Sequence, residues 1–176
     1  MRIIPDFGRL GIGYLVRDHL DTLYEIDKKD QQKKSYSDYI IFFAFPFIAF
    51  LVTLIMGWKF KGIDELMGGV AILTGLLFGL LIHIFSLALR VFDNERFSKT
   101  SRVTILIDEL RSNVSYSCGV GLALTSVLVC CAAFDAGTSG TPPWVSGVIA
   151  ALFMHLILTL LMVVKRVRTA YKLLTQ

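Results

Sequence analysis

Residues 66–89 read LMGGVAILTGLLFGLLIHIFSLAL, 24 positions without Asp, Glu, Lys or Arg, between Glu65 and Arg90. A helix rises about 1.5 Å per residue, so this run is long enough for the roughly 30 Å hydrocarbon core of a bilayer. Three other runs share its character: Tyr39 to Trp58, Ser112 to Phe134 and Ala136 to Val164. Gly137, Gly140, Pro142 and Pro143 trim the last, leaving Trp144 to Val164 as its apolar part. Lipid supplies no water to backbone N–H and C=O groups, so each run must be helical. The expected fold class is all-α, a polytopic membrane protein with four transmembrane helices at about 39–58, 66–89, 114–134 and 143–164.

Composition agrees. The chain has 176 residues, 55% of them hydrophobic and 18% charged. Soluble domains carry about 25% charged residues, and disordered chains are far less apolar. Only 3 Cys and 4 Pro among these residues exclude disulfide-stapled and collagen-like scaffolds. The first span starts too far from Met1, behind a charged arm, to be a cleaved signal peptide, and no lipidation motif is expected.

The cations give an orientation. Of 18 Lys and Arg, seven lie before Asp38, five between Arg90 and Arg111, and four from Lys165 to Lys172. Only Lys59 and Lys61 fall on the other side. The positive-inside bias therefore puts both termini in the cytoplasm of a cell whose inner membrane holds the chain. Tyr36, Tyr39 and Trp58 bracket the first span, and Phe134 and Trp144 flank the short outer loop, as aromatic belts do. The same charge does not read as direct nucleic-acid binding, because it is spread over three segments among many acids with few aromatics.

Two organisational units follow: an amphipathic cytoplasmic arm over 1–37, and the four-helix domain over 38–176 with a cytoplasmic connection at 90–113 and a basic tail at 165–176. Within the arm, Leu10, Leu15, Val16, Leu20, Leu23 and Tyr24 have helical spacing, which predicts a helix over 9–28 and a polar hinge from Lys28 to Ser37. Its mixed charge favours docking on the protein's own helices at least as much as on lipid. The Gly8–Gly13 stretch has the wrong spacing for a dinucleotide loop and reads as a flexible start to the arm. Val103, Leu106, Ile107, Leu110 and Val114 form a helical stripe behind a possible Ser101 cap, and no breaker precedes Tyr116. One long helix over 101–134 is expected, and the second and fourth spans should likewise overrun through Arg90 and the tail.

No span contains a carboxylate, Lys or Arg, which argues against proton-coupled export and voltage sensing. His83 and His155 are the intramembrane polar candidates; they could meet if the second and fourth spans were neighbours, but packing histidines are the commoner outcome. Cys118, Cys130 and Cys131 form no C-x-x-C pair and read as small hydrophobes. No catalytic, cofactor-binding or metal-ligating set is visible, so an enzyme is not expected. Asn113-Val-Ser115 matches a glycosylation sequon on the cytoplasmic side and reads as chance. Gly75 with Gly79, Ser117 with Gly121, and Gly147 with Ala151 have the small-xxx-small spacing of helix packing or oligomer contacts. Pro46 is expected to kink the first span, with Phe42, Phe43, Phe45, Phe47 and Phe50 facing lipid.

Two functions from different classes fit. One is a membrane scaffold or sensor that homo-oligomerises and docks a soluble cytoplasmic protein through Arg96, Lys99, Arg102, Arg111, Lys165, Arg166 and Arg168. The other is an oligomeric channel lined by Thr53, Thr74, Ser86, Thr125 and Ser126. The charged arm 1–37, the four spans with both ends inside and the long connection Arg90 to Ser115 together resemble the KwaA family, membrane subunits of the bacterial Kiwa anti-phage systems. That resemblance implies a homo-oligomeric sensor at the inner membrane with a DNA-binding effector held beneath it. It carries over no functional residue.

Overall fold

The computed structural model describes residues 12–22, 24–26, 32–34, 36–92, 102–134 and 140–174. Five helices run in chain order: α1 (Ile12–Asp21), α2 (Tyr36–Ile55), α3 (Ile63–Phe92), α4 (Arg102–Phe134) and α5 (Pro143–Leu174). Between α1 and α2 lies a two-stranded antiparallel hairpin, β1 (Tyr24–Ile26) and β2 (Gln32–Lys34), with Glu25 opposite Lys33. Three helices are long and apolar enough to cross a membrane, over Ile63–Val91, Thr104–Ala133 and Pro143–Thr169. The apolar stretch of α2, Ile40–Ile55, is shorter.

The overruns beyond the apolar runs are present. α4 is a single helix of 33 residues, and α3 and α5 continue through Arg90 and Lys165 respectively. The arm differs from its expected form. Its helix stops at Asp21, and the next residues pair as strands rather than continuing a helix to Lys28. The cause is visible at Thr22: its N–H turns back to the His19 carbonyl at 3.0 Å and its hydroxyl donates to the same carbonyl at 2.6 Å, closing the last turn. Gly8, Ser101 and the Gly/Thr turn before Gly140 lie outside the described residues.

The long helices stand in a row in which α3 packs on α4, α4 on α5, and α5 on α2; α1 lies against α4. Buried positions recur every seventh residue, at Ile63, Val70, Leu77, Ile84 and Val91 in α3 and at Ile149, Leu156 and Val163 in α5. That period is the one of left-handed knobs-into-holes packing. The α4 stripe predicted from sequence joins this core through Ile107, Leu110 and Val114.

Glycine sets the closest approaches. A Cβ on Gly121 would lie 3.2 Å from Thr74 Cγ2 and 3.3 Å from Thr74 Cβ, and nearer still to its Oγ1, so α4 meets α3 there only because Gly121 has none. Gly147 does the same for α5 and α2, where a Cβ would sit 2.9 Å from the Phe50 ring. Phe50 therefore packs inside, and Phe42 is buried as well. Of the phenylalanines expected to face lipid, Phe43, Phe45 and Phe47 are exposed.

α2 ends in a left-handed glycine: Gly57 has φ 63°, its N–H bonds the Leu54 carbonyl, and Trp58 N–H bonds the Thr53 carbonyl. The two connections at this end of the bundle are sewn together. Thr141 N–H donates to the Phe60 carbonyl at 3.3 Å, Phe60 N–H donates to Ser146 Oγ at 3.1 Å, and the Thr141 and Ser146 hydroxyls bond each other at 2.6 Å.

Candidate functional site

At the opposite end of the bundle, four helices converge on a buried polar cluster. It begins with α1, whose positions Leu15, His19 and Thr22 lie one turn apart on one face. His19 is 1% exposed. Its Nδ1–H donates to Asn113 Oδ1 of α4 at 2.8 Å, and the Thr22 hydroxyl reaches the same oxygen at 2.8 Å. The imidazole stacks on the Tyr116 ring, with centroids 3.9 Å apart and planes 3° from parallel. Phe42 of α2 closes the edge at 5.6 Å. Leu15 fits against Gly119, where a Cβ would be 3.2 Å away.

A second histidine completes the cluster. Pro46 has no N–H, so the Phe42 carbonyl four residues earlier loses its helical donor. His155 of α5 hydrogen-bonds the Phe42 backbone in its place. With that donor on Nδ1, Nε2 accepts from the Tyr116 hydroxyl at 2.8 Å. His155 thus ties α5, α4 and α2 together, which is the cross-helix packing role expected of an intramembrane histidine. His83 does not meet it. His83 is exposed on α3, and among the described residues α3 packs on α4 rather than on α5.

Arg166 of α5 is the third anchor. Its guanidinium pairs with Glu109 of α4 and donates to the Thr22 carbonyl at the end of α1. The pair is largely shielded, with side chains 15% and 21% exposed. Arg166 is therefore turned inward, unlike the surface contact expected from sequence. The other docking candidates differ: Lys165 and Arg168 are exposed, and so is Arg111, which forks onto Asp108 at 2.8 and 3.1 Å. Arg102 opens α4, and Arg96 and Lys99 lie outside the described residues.

The electrostatics of His19 follow from its surroundings. Burial pushes its pKa down to about 4 from 6.5; the bond to Asn113 opposes this, and the nearby His155 and Arg166 add to the lowering. His19 Nε2 and Asn113 Nδ2 are buried with no hydrogen-bond partner among the described residues. Neutral His19 fits this buried site.

The small residues separate into two groups. Ser117 is fully buried and donates to the Asn113 carbonyl at 2.9 Å; Gly121 and Gly147 make the close approaches above, and Ala151 is half-buried. Gly75 and Gly79 are exposed, and nothing lies within 4 Å of where their Cβ atoms would stand. The hydroxyls considered as channel lining bond their own helices instead: Thr53, Thr74, Ser86, Thr125 and Ser126 each donate to the carbonyl four residues back. Thr53 and Thr74 are buried while Ser86 and Ser126 are exposed. Among the described residues no group of three His, Cys, Asp or Glu is placed to hold a metal.

Sequence reasoning reads Asn113 only as part of a chance sequon and does not single out His19. The spacing of Leu15, His19 and Thr22 was the available signal. Compared with protein families, curated proteins and solved structures, the chain matches none of them.

Proposed function

We propose that the chain is a small scaffold or sensor of the inner membrane, spanning it four times with both termini in the cytoplasm, and that it assembles with copies of itself and docks a soluble cytoplasmic protein. The observation that carries this reading is the sorting of charge. Arg90, Arg111, Lys165 and Arg168 are exposed on the ends of three helices that gather where Arg166 meets Glu109. The opposite end holds two short connections knotted at Phe60, Thr141 and Ser146. The chemistry it offers a partner is a set of exposed cations on rigid helix ends, complementary to an acidic surface.

Self-association is supported by α3, the end of the row. Among the described residues nothing lies within 4 Å of where a Cβ on Gly75 or Gly79 would stand, and open small-residue faces let helices approach closely in lipid. His83 stands four residues beyond Gly79 on that face, where an ionisable group is costly in lipid and gains from a neighbouring helix. The resemblance to the Kiwa membrane subunits adds a role in anti-phage defence to this proposal.

The test is to ask whether a neighbouring gene encodes a soluble protein, to co-express the two, and to purify in detergent. The two are expected to co-elute, and R111E/K165E/R168E is expected to separate them while leaving the membrane protein folded. Failure of the native pair to co-elute overturns the docking reading. A tag on either terminus accessible only from outside the cell overturns the topology.

A further inference from the structure

The arm is held to the bundle by Leu15 packed at Gly119 and by a set of polar contacts centred on one neutral imidazole. α1 packs on α4, and its exposed side carries Tyr14, Val16, Arg17 and Asp18. Its inner face ends in His19, which bonds through Nδ1 and whose buried Nε2 has no partner among the described residues. Among the described residues the groups that face His19 offer no acceptor for a second proton. α2 supplies the Phe42 ring. α4 supplies Asn113 and Tyr116, together with Glu109, which is engaged by Arg166. α5 supplies His155, whose Nε2 already accepts from Tyr116, and the Arg166 cation. A proton on Nε2 would be a buried donor without an acceptor, on a ring pressed 3.9 Å against Tyr116 and near an arginine.

We propose that α1 is a proton-released latch, docked on α4 and α5 while His19 is neutral and freed from them when its Nε2 is protonated. Release would expose Asn113 and Tyr116 and free the Arg166 contact with the Thr22 carbonyl. The inference requires neither a partner nor self-association, so it stands or falls apart from the reading above.

The sign follows from linkage. The undocked arm binds the proton at the ordinary 6.5 and the docked arm only at about 4. Docking is therefore at full strength well above 6.5 and weakens as pH falls through 6.5 toward 4, by at most about tenfold per pH unit and by roughly 150-fold at pH 4. The arm should respond to acidification and remain closed at alkaline pH.

The experiment is hydrogen exchange by mass spectrometry on the full chain in phosphatidylethanolamine–phosphatidylglycerol nanodiscs, corrected for the intrinsic pH dependence of exchange. Protection of residues 12–22 is expected to fall about fivefold between pH 6.5 and 5.5 and about sevenfold again by pH 4.5, while α4 peptides past Val120 stay protected. In H19Q, whose amide can still donate to Asn113, protection should be independent of pH. A flat profile in the native chain, an equal fall in H19Q, or a parallel loss in α4 overturns the latch. If H19Q leaves the arm unprotected at every pH, the histidine carbon-13 NMR titration of the native chain decides. A His19 signal titrating well below 6.5 with the arm docked supports the latch, and one titrating near 6.5 overturns it.

Discussion

Replacing Gly121 by alanine tests the packing most directly. The new methyl would lie 3.2 Å from Thr74 Cγ2 and 3.3 Å from Thr74 Cβ, and closer to Oγ1. Ordinary carbon contacts begin near 3.5 Å, so α3 and α4 must part or Thr74 must leave its rotamer. Leaving it breaks the 2.8 Å bond from the Thr74 hydroxyl to the Val70 carbonyl, in a residue only 4% exposed. Overpacking of this kind costs about 1–3 kcal/mol. T74A removes both Oγ1 and Cγ2, so G121A/T74A should recover most of the loss, a coupling of about 1–2 kcal/mol. Gly75→Ala supplies the control, since its Cβ meets nothing within 4 Å. Steric-trapping or mild-denaturant unfolding in bicelles reads all four proteins. The reasoning is refuted if Gly121→Ala stays within 0.5 kcal/mol of the native chain, or if T74A fails to rescue it.

Other predictions come from the same geometry. Arg166→Gln leaves Glu109 shielded without its cation and the Thr22 carbonyl without its donor, and should lower stability by about 2–4 kcal/mol in the same unfolding assay, an equal stability arguing against the pin. Tyr116→Phe keeps the stack on His19 but removes the hydroxyl bonded to His155; about 1 kcal/mol is expected, and a neutral result would mean this bond contributes nothing net. The double variant G75I/G79I should leave unfolding unchanged while shifting the particle mass toward the monomer in light scattering, whereas an unaltered mass would remove α3 from any self-contact.

Pro46 shows how far a local rule reaches. Its missing N–H, read from sequence as a kink, leaves the Phe42 carbonyl open, and that carbonyl is where His155 binds. No spacing along the chain joins residue 42 to residue 155, so the pairing was illegible until α2 and α5 lay side by side. The expectation that Phe42 faces lipid failed for the same reason, because the ring closes the His19 and His155 cluster.

Hydropathy and helical period by themselves determined the long apolar helices, their overrun past Arg90 and Lys165, and the stripe Ile107, Leu110 and Val114, because burial in lipid or core acts on every residue of a face and leaves a period in the sequence. The order α3–α4–α5–α2, the inward turn of Arg166 and the meeting of His19 with Asn113 were decided only in three dimensions. The first rests on which helix faces fit one another and the other two on polar atoms finding partners 57 and 94 residues away, and such matches imprint no pattern on the residues around them.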